Sequence, residues 1–468
     1  MTGRRLLHVV HDFLPRHRAG VEIYAAALCR ELARRHHVTV LTTDYDPTAR
    51  HGELTWRVHE GLPVVEIRNN WEGGTFEASY RSDVINTRIE QVLEVVQPHV
   101  IHVHSLLNLS FDLPAIAQRR GIKVVTTLHD YTLVCPSGGQ RLHRAEAHVC
   151  HDIDEQRCAR CFPATVFQTK LTVGRMMRGR GRETVVGRVA SWLHRRVPGI
   201  TKAVAGRTAR VTSVKVVPDD ILRRLDAAKR AAASMNLLVA PSASLAAECQ
   251  RLGVAAGRIA VSDYGFVGAG KSRPPVAVTG TRLRVGYVGS LVWHKGVHVL
   301  IDALRLLPPE QVQLFVFGDP GLDPDYAVNL RARAGGSPTE FRGSFEPAAC
   351  ADVFAGLDVL VVPSLWLENS PLVIHEALMA GVVVVASEIG GIPGLIRDDV
   401  NGLLVQPGSV DALAAALDRL IADRGLLDRL RHHPHGVKSI EDDAAEWDDR
   451  YENVVAGTLQ GSGTARTW

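Results

Sequence analysis

Two glutamates, Glu368 and Glu376, stand eight positions apart in the stretch ENSPLVIHEALMAG (Glu368–Gly381). A carboxylate accepts several hydrogen bonds at once and so grips a vicinal diol. A helix rises ~1.5 Å per residue, so this spacing staggers the pair. The acid and nucleophile of a glycosidase instead flank a single bond. Asn369 and Ser370 are good N-cap residues, Pro371 suits the first helical position and Gly381 the stop, which predicts a helix start between the two carboxylates. The backbone N–H groups of Asn369 and Ser370 then become available to an anion. Lys295 lies in SLVWHKG, after an apolar run that ends at Gly289. A helix from about Val297 offers free N–H groups beside that cation, and both suit a diphosphate. His129 closes the run KVVTTLHD, and Gly20 sits in the first strand-to-helix turn, where backbone N–H groups come close to a ligand. The plain structural alternatives are solvated charges at helix ends, a histidine bonded to Asp130 and an ordinary turn glycine.

A second constellation is Cys135, Cys150, Cys158 and Cys161, the last two in CARC, with His143, His148 and His151 between them. Four cysteines in one segment predict a structural tetrahedral zinc, with a redox pair or unliganded thiols as alternatives. Cys29, Cys249 and Cys350 are isolated. The opening MTGRRLLHVVHDFLP has a short apolar core broken by His8 and no small-residue cleavage site, so a cytoplasmic chain is expected. No apolar run is long enough to span a bilayer.

The 468 residues, 46% apolar and 22% charged, fit two or three globular domains. Net charge is +4, unevenly spread. Residues 162–230 hold 16 Lys and Arg against 4 Asp and Glu, an excess of +12 that leaves −8 for the remainder. Within this basic region Val186, Val189, Trp192 and Leu193 share a helical face, followed by Arg195 and Arg196. Such a helix would lie on an anionic membrane surface, and a solvated basic face is the bland alternative. Nucleic acid is not expected, because the only interleaved aromatics are Phe162, Phe167 and Trp192.

Short apolar runs alternate with helical patterns throughout. Strands are predicted at Leu6–Asp12, His37–Thr43, Val100–Ser105, Lys123–Asp130, Asn236–Ser242 and Arg258–Gly265. A Gly/Pro/Ser-rich linker follows at Gly268–Arg282. The pattern then restarts with strands at Leu283–Ser290, Gln313–Asp319, Leu357–Ser364, Val382–Ser387 and Gly402–Pro407. This is an α/β chain of two doubly wound, Rossmann-like domains, which bind ligands at the carboxyl ends of their strands. The expected boundaries are 1–275, 283–440, a helix at 441–456 packing back on the body, and a disordered tail at 457–468.

Taken in order, GSLVWHKGVHVLIDAL, LFVFGD, FRGSFE, LVVPSLWLENSPLVIHEALMAG, GGIPGLI and NGLLV, preceded by FLPRHRAGVEIYAAALCREL, TLHDYTLVCP and LLVAPSASLA, resemble the retaining GT-B-fold glycosyltransferases of family 4. The resemblance spans roughly residues 5–455, apart from the basic stretch. It implies an N-terminal acceptor-side domain and a C-terminal nucleotide-sugar domain facing each other across a cleft. It also implies that Glu368 contacts donor sugar hydroxyls and that Glu376 contacts ribose hydroxyls. His129 would position the transferred sugar, Gly20 would approach the donor phosphate or the acceptor, and Arg342 and Gly343 would border the base. The family usually carries Arg five residues before the lysine. Here that position is Ser290, so one diphosphate cation is replaced by a hydroxyl. A second glycine often precedes Gly20, and here it is Ala19.

The implied reaction is transfer of a sugar from a nucleotide-diphosphate sugar to a glycan or lipid-linked acceptor, in the building of cell-surface polysaccharide or glycolipid. No acidic metal motif is suitably placed, so no metal is expected in the chemistry. A nucleotide-sugar epimerase, a phosphorylase and a catalytically silent sugar-nucleotide or glycan-binding scaffold on the same fold are the alternatives.

Overall fold

The computed structural model describes residues 3–46, 49–143, 146–177, 214–253, 259–269, 282–434 and 436–458. The chain forms two compact units. One comprises Met1–Ala240, Ala246–Ser262 and Ile440–Ala465; the other comprises Pro241–Leu245 and Asp263–Ser439. The main boundary thus falls after Ser262 rather than near residue 275. The core of the expected membrane-lying helix, most of the expected linker and most of the expected tail lie outside the described residues.

The first unit is built on eight strands: β1 (Arg5–Val9), β2 (His37–Asp44), β3 (Leu54–His59), β4 (Leu62–Arg68), β5 (Val100–Val103), β6 (Lys123–Thr127), β9 (Leu237–Ala240) and β10 (Ile259–Val261). A separate two-stranded ribbon pairs β7 (Leu142–His143) with β8 (His148–Val149). The order across the large sheet is β10-β9-β6-β5-β1-β2-β4-β3. All pairings in it are parallel except the β3–β4 hairpin, which turns through Glu60 and Gly61, both at positive φ as a tight hairpin requires. The central strands carry near-continuous Val, Ile and Leu because helices cover both faces. The chain changes direction across the sheet between β1 and β5, so the loops after these two strands open a crevice at their carboxyl ends.

The helix Ile440–Ala456 belongs to this first unit. Its Trp447 and Tyr451, four apart on one face, are both buried. Tyr451 reaches His102 Nδ1 at 2.7 Å, and Asp443 accepts from the Tyr24 hydroxyl at 2.8 Å.

The second unit holds six parallel strands: β11 (Leu283–Val288), β12 (Val312–Phe317), β13 (Thr339–Gly343), β14 (Val359–Val362), β15 (Val383–Ser387) and β16 (Gly402–Val405). Their order is β13-β12-β11-β14-β15-β16, the doubly wound 3-2-1-4-5-6 arrangement. The switch point lies between β11 and β14. The loops leaving those two strands are the ones that carry Lys295 and Glu368. Among the described residues, no helix is long and apolar enough to cross a membrane.

Candidate active site

In the second unit the loop after β11 tightens into a 3-10 turn, Trp293–Lys295, ending at Gly296 with φ +74. A Cβ on Gly296 would stand 1.9 Å from the Pro363 carbonyl oxygen, so only glycine lets this turn lie against the end of β14. The Leu365 N–H donates to the His294 carbonyl at 2.8 Å and ties the two loops together. The helix Val297–Leu304 then begins with its N–H groups toward the crevice.

Lys295 Nζ donates to Glu368 Oε1 at 2.7 Å and lies 5.1 Å from the centre of the Trp366 ring. The Ser364 hydroxyl donates to the same carboxylate oxygen. Glu368 is only 5% exposed, so its charge depends on these two donors. Its backbone is clamped from the other side. The Gly391 N–H donates to the Glu368 carbonyl at 2.7 Å, and a Cβ on Gly391 would stand 1.8 Å from the Asn369 carbonyl oxygen. GGIPGLI is thus a bed for ENS, and Gly390 and Gly391 are dictated by backbone contact.

The predicted helix start needs correction. The helix runs Leu372–Met379, with Pro371 as its cap residue and no side-chain cap. Asn369 and Ser370 are buried. The Ser370 hydroxyl donates to Asp263 Oδ1 at 2.7 Å and accepts from His375 Nε2 at 3.0 Å, so it is not available to the helix. His375 Nε2 also lies 3.2 Å from Asp263 Oδ2. Hydroxyl and carboxylate share one ring nitrogen, which excludes a hydrolytic triad, where they take opposite nitrogens. Burial raises the Asp263 pKa, but His375 and Ser370 outweigh it and hold the carboxyl below the usual range. The carboxylate of Glu376, on the same helix, has no hydrogen-bond partner among the described residues. Burial pushes its pKa up to about 7, against a smaller opposing pull from His375.

Ser290 is exposed, and its carbonyl accepts from the buried Tyr287 hydroxyl at 2.7 Å. Arg342 ends β13, two strands away from β11 at the sheet edge. It donates to Glu340 at 2.8 Å and covers the Phe315 ring at 5.0 Å, half-exposed. Because β13, β12 and β11 run parallel, Arg342 and its neighbour Gly343 lie at the same carboxyl edge of the sheet as the loop that carries Lys295.

In the first unit Gly20 opens the helix Gly20–Leu32, and the Ala19 N–H donates to Glu22 Oε2 at 3.0 Å. The Glu22 carboxylate thereby takes over part of the capping that an alanine cap residue lacks. His129, just past β6, does not pair with its neighbour Asp130, whose carboxylate accepts the Thr132 N–H at 2.7 Å. Instead His129 Nε2 meets His104 Nδ1 at 3.0 Å, and His104 Nε2 meets His8 Nδ1 at 3.0 Å. Burial lowers the pKa of all three rings, so each is neutral at pH 7 and carries one proton.

His104 therefore donates in one direction and accepts in the other. His8 Nε2 is buried without a partner, and a bare lone pair there costs less than an orphaned N–H. The protons then sit on Nδ1 of His8, His104 and His129. Replacing His104 by Phe is expected to free this tautomer and lower turnover roughly fivefold, the worth of a hydrogen bond of ~1 kcal/mol. Ring 15N shifts of His129 report the tautomer directly.

His8, His102 and His104 form the one group of three ligand atoms within 4.8 Å among the described residues. They do not make a metal centre as they stand. His102 spends Nδ1 on Tyr451 and Nε2 on Thr127 Oγ1 at 2.8 Å, and both His104 nitrogens are used as described.

Sequence reasoning passed over Ser364, Trp366, Asp263, His375, His8 and His104. The alternation in VIHVHS, which puts His102 and His104 on one face of β5 opposite His8 in register, was a readable signal.

Glycine-shaped turns at the switch point of a 3-2-1-4-5-6 sheet, with a lysine at a helix start and a buried carboxylate, offer chemistry that suits a phosphorylated, hydroxyl-rich ligand. Residues 282–423 match the family described as Glycosyl transferases group 1, and residues 18–178 match Glycosyltransferase Family 4. The chain belongs to the family 4, group 1 glycosyltransferases and has their GT-B fold.

It is 33% identical over 244 residues to a D-inositol 3-phosphate glycosyltransferase of Xylanimonas cellulosilytica, covering 47% of this chain and 58% of that protein. The matches to the first curated relatives span less than two thirds of their length. Among solved structures, sucrose-phosphate synthase from Thermosynechococcus elongatus superposes with a TM-score of 0.63 at 18% identity, over 97% of this chain and 99% of that one. The Anabaena protein HepE, crystallised with UDP-glucose, gives 0.55 at 18% identity with the same coverage.

Proposed function

We propose that this chain transfers a sugar, with retention at the anomeric carbon, from a nucleotide-diphosphate sugar to a glycan or lipid-linked acceptor. The observation that carries the reading is the Lys295–Glu368 pair at the switch point of the second sheet. In the free protein Lys295 neutralises Glu368. When a diphosphate arrives, the ammonium has a stronger partner, and the helix start at Val297 adds N–H donors. Glu368 is then free to accept hydrogen bonds from sugar hydroxyls.

Negative charge developing on the leaving diphosphate is met by the same lysine and helix dipole. Glu376 accepts from the ribose diol. Ser290, exposed beside this loop, offers a hydroxyl where a second cation is usual in the family. His129 holds a hydroxyl of the transferred sugar, and Gly20 keeps the first turn open. A nucleotide sugar as donor is supported by the HepE complex with UDP-glucose. A lipid-linked acceptor at a cytoplasmic, anionic membrane face is supported by the +12 excess over residues 162–230.

A thermal-shift screen across nucleoside diphosphates and their sugars tests the donor, since a ligand of the folded state raises the melting temperature. One base should stand out, and its diphosphate should be released only when an acceptor is present. Release without an acceptor would point to hydrolysis or epimerisation, and no shift with any nucleotide would overturn the assignment.

A further inference from the structure

We propose that Cys135, Cys150, Cys158 and Cys161 form a four-thiolate zinc site that clamps the segment following His129. The inference is independent of the transferase reading. Three separate pieces of chain bring the cysteines to one cavity. Cys135 follows a turn in which its N–H donates to the Tyr131 carbonyl at 2.7 Å. Cys150 follows β8, its N–H donating to the Arg141 carbonyl at 2.8 Å. Cys158 and Cys161 lie three apart on the helix Glu155–Cys161, hence on one face. All four line a single cavity of about 20 Å³, and none is in a disulfide.

That volume admits one atom-sized guest. Four thiolates around a dication leave two net negative charges, and Arg141 and Arg157 line the same cavity. The segment is tied to the helix Ala243–Arg251 by the Arg141–Glu248 and Arg251–Asp152 pairs, but its own secondary structure is slight. Its ribbon has two residues per strand and its helix seven, too little to be stable alone. Small modules of this kind are commonly stapled by metal or disulfide.

A Zn–S bond of ~2.3 Å places the sulfurs about 3.8 Å apart in a tetrahedron. Here they stand wider, since no three of them lie within 4.8 Å of one another, and the Cys161 thiol donates to the Leu142 carbonyl at 3.6 Å. The proposed site requires the four sulfurs to turn inward about their Cα–Cβ bonds as the metal binds. Binding then deprotonates the thiols and releases protons. Because Cys135 lies six residues beyond His129, the clamp would act on the placement of that histidine, not on the reaction itself.

The test is metal analysis of the full chain, purified without chelator under reducing conditions from zinc-replete cells. One zinc per chain is expected in the wild type and in Cys249→Ser, whose thiol lies outside the cavity. Cys158→Ser and Cys161→Ser should lose the metal. Replacing zinc by cobalt(II) in the wild-type protein should give the thiolate-to-cobalt charge-transfer band of tetrahedral sulfur ligation, a readout that needs no variant to fold. A metal-free wild type that takes up no cobalt would overturn the site. So would iron with inorganic sulfide, or an intact mass showing these cysteines paired as disulfides.

Discussion

Lys295→Ala is expected to weaken nucleoside-diphosphate binding by about 100-fold or more. A charge-assisted hydrogen bond is worth ~1.5–3 kcal/mol, which alone is ten- to a hundredfold. The variant suffers a second penalty, because Glu368 is 5% exposed and would keep a buried, uncompensated charge facing the incoming phosphates. That penalty should also appear in the free protein as a loss of about 3 kcal/mol, the low end for breaking a buried pair because Lys295 is 26% exposed. The double variant Lys295→Ala/Glu368→Gln should recover much of the stability but not the binding. Glu368→Gln alone keeps the lysine and should mainly reduce turnover. Calorimetric titration and thermal melts on the four proteins separate these effects. Wild-type affinity in Lys295→Ala would remove the diphosphate from this loop.

Glu376 gives the second large effect, and its sign is opposite to that of a salt-bridged carboxylate. Its pKa rises from 4.5 to about 7 on folding, chiefly through burial. The folded chain then binds the proton more tightly than the unfolded chain. Stability from this group is complete below pH ~4.5 and falls as pH rises through about 7, by up to ~3 kcal/mol. Glu376→Gln should remove this fall and melt higher than wild type above pH 7. A ribose diol donating to the carboxylate favours the ionised form. Nucleotide binding should therefore release protons, and affinity should rise with pH across the same window. Titration calorimetry at pH 6.5 in buffers of different ionisation enthalpy measures the proton count. Proton uptake, or an affinity independent of pH, would contradict the assignment of Glu376 to the ribose. Glu376→Gln should bind the nucleotide roughly tenfold more weakly, with a flat pH profile.

The legible part of the fold was what period-2 and period-3.6 patterns encode locally. Buried parallel strands such as β11 and β14 are apolar runs that read the same in any context. The edge hairpin β3–β4 was missed because β3 leaves Trp56 and Val58 exposed, an arrangement that resembles a loop from its residues alone. β13 was missed for the same reason, with Arg342 pointing to solvent and pairing with Glu340.

By itself, the sequence determined the fold class and the family and singled out Lys295, Glu368, Glu376 and His129 as candidates, because those signals lie in residue type and short-range spacing. Tertiary structure decided which of these groups meet. Lys295 reaches Glu368 only because parallel strands β11 and β14 are neighbours at the switch point, a pairing between residues 73 positions apart. Ser370 leaves the helix cap for Asp263, and His129 leaves Asp130 for His104, because buried polar groups take whichever partner the packing supplies. The staggered carboxylates of ENSPLVIHEALMAG thus acquire distinct characters, one paired with a lysine and the other pushed toward its neutral form by burial.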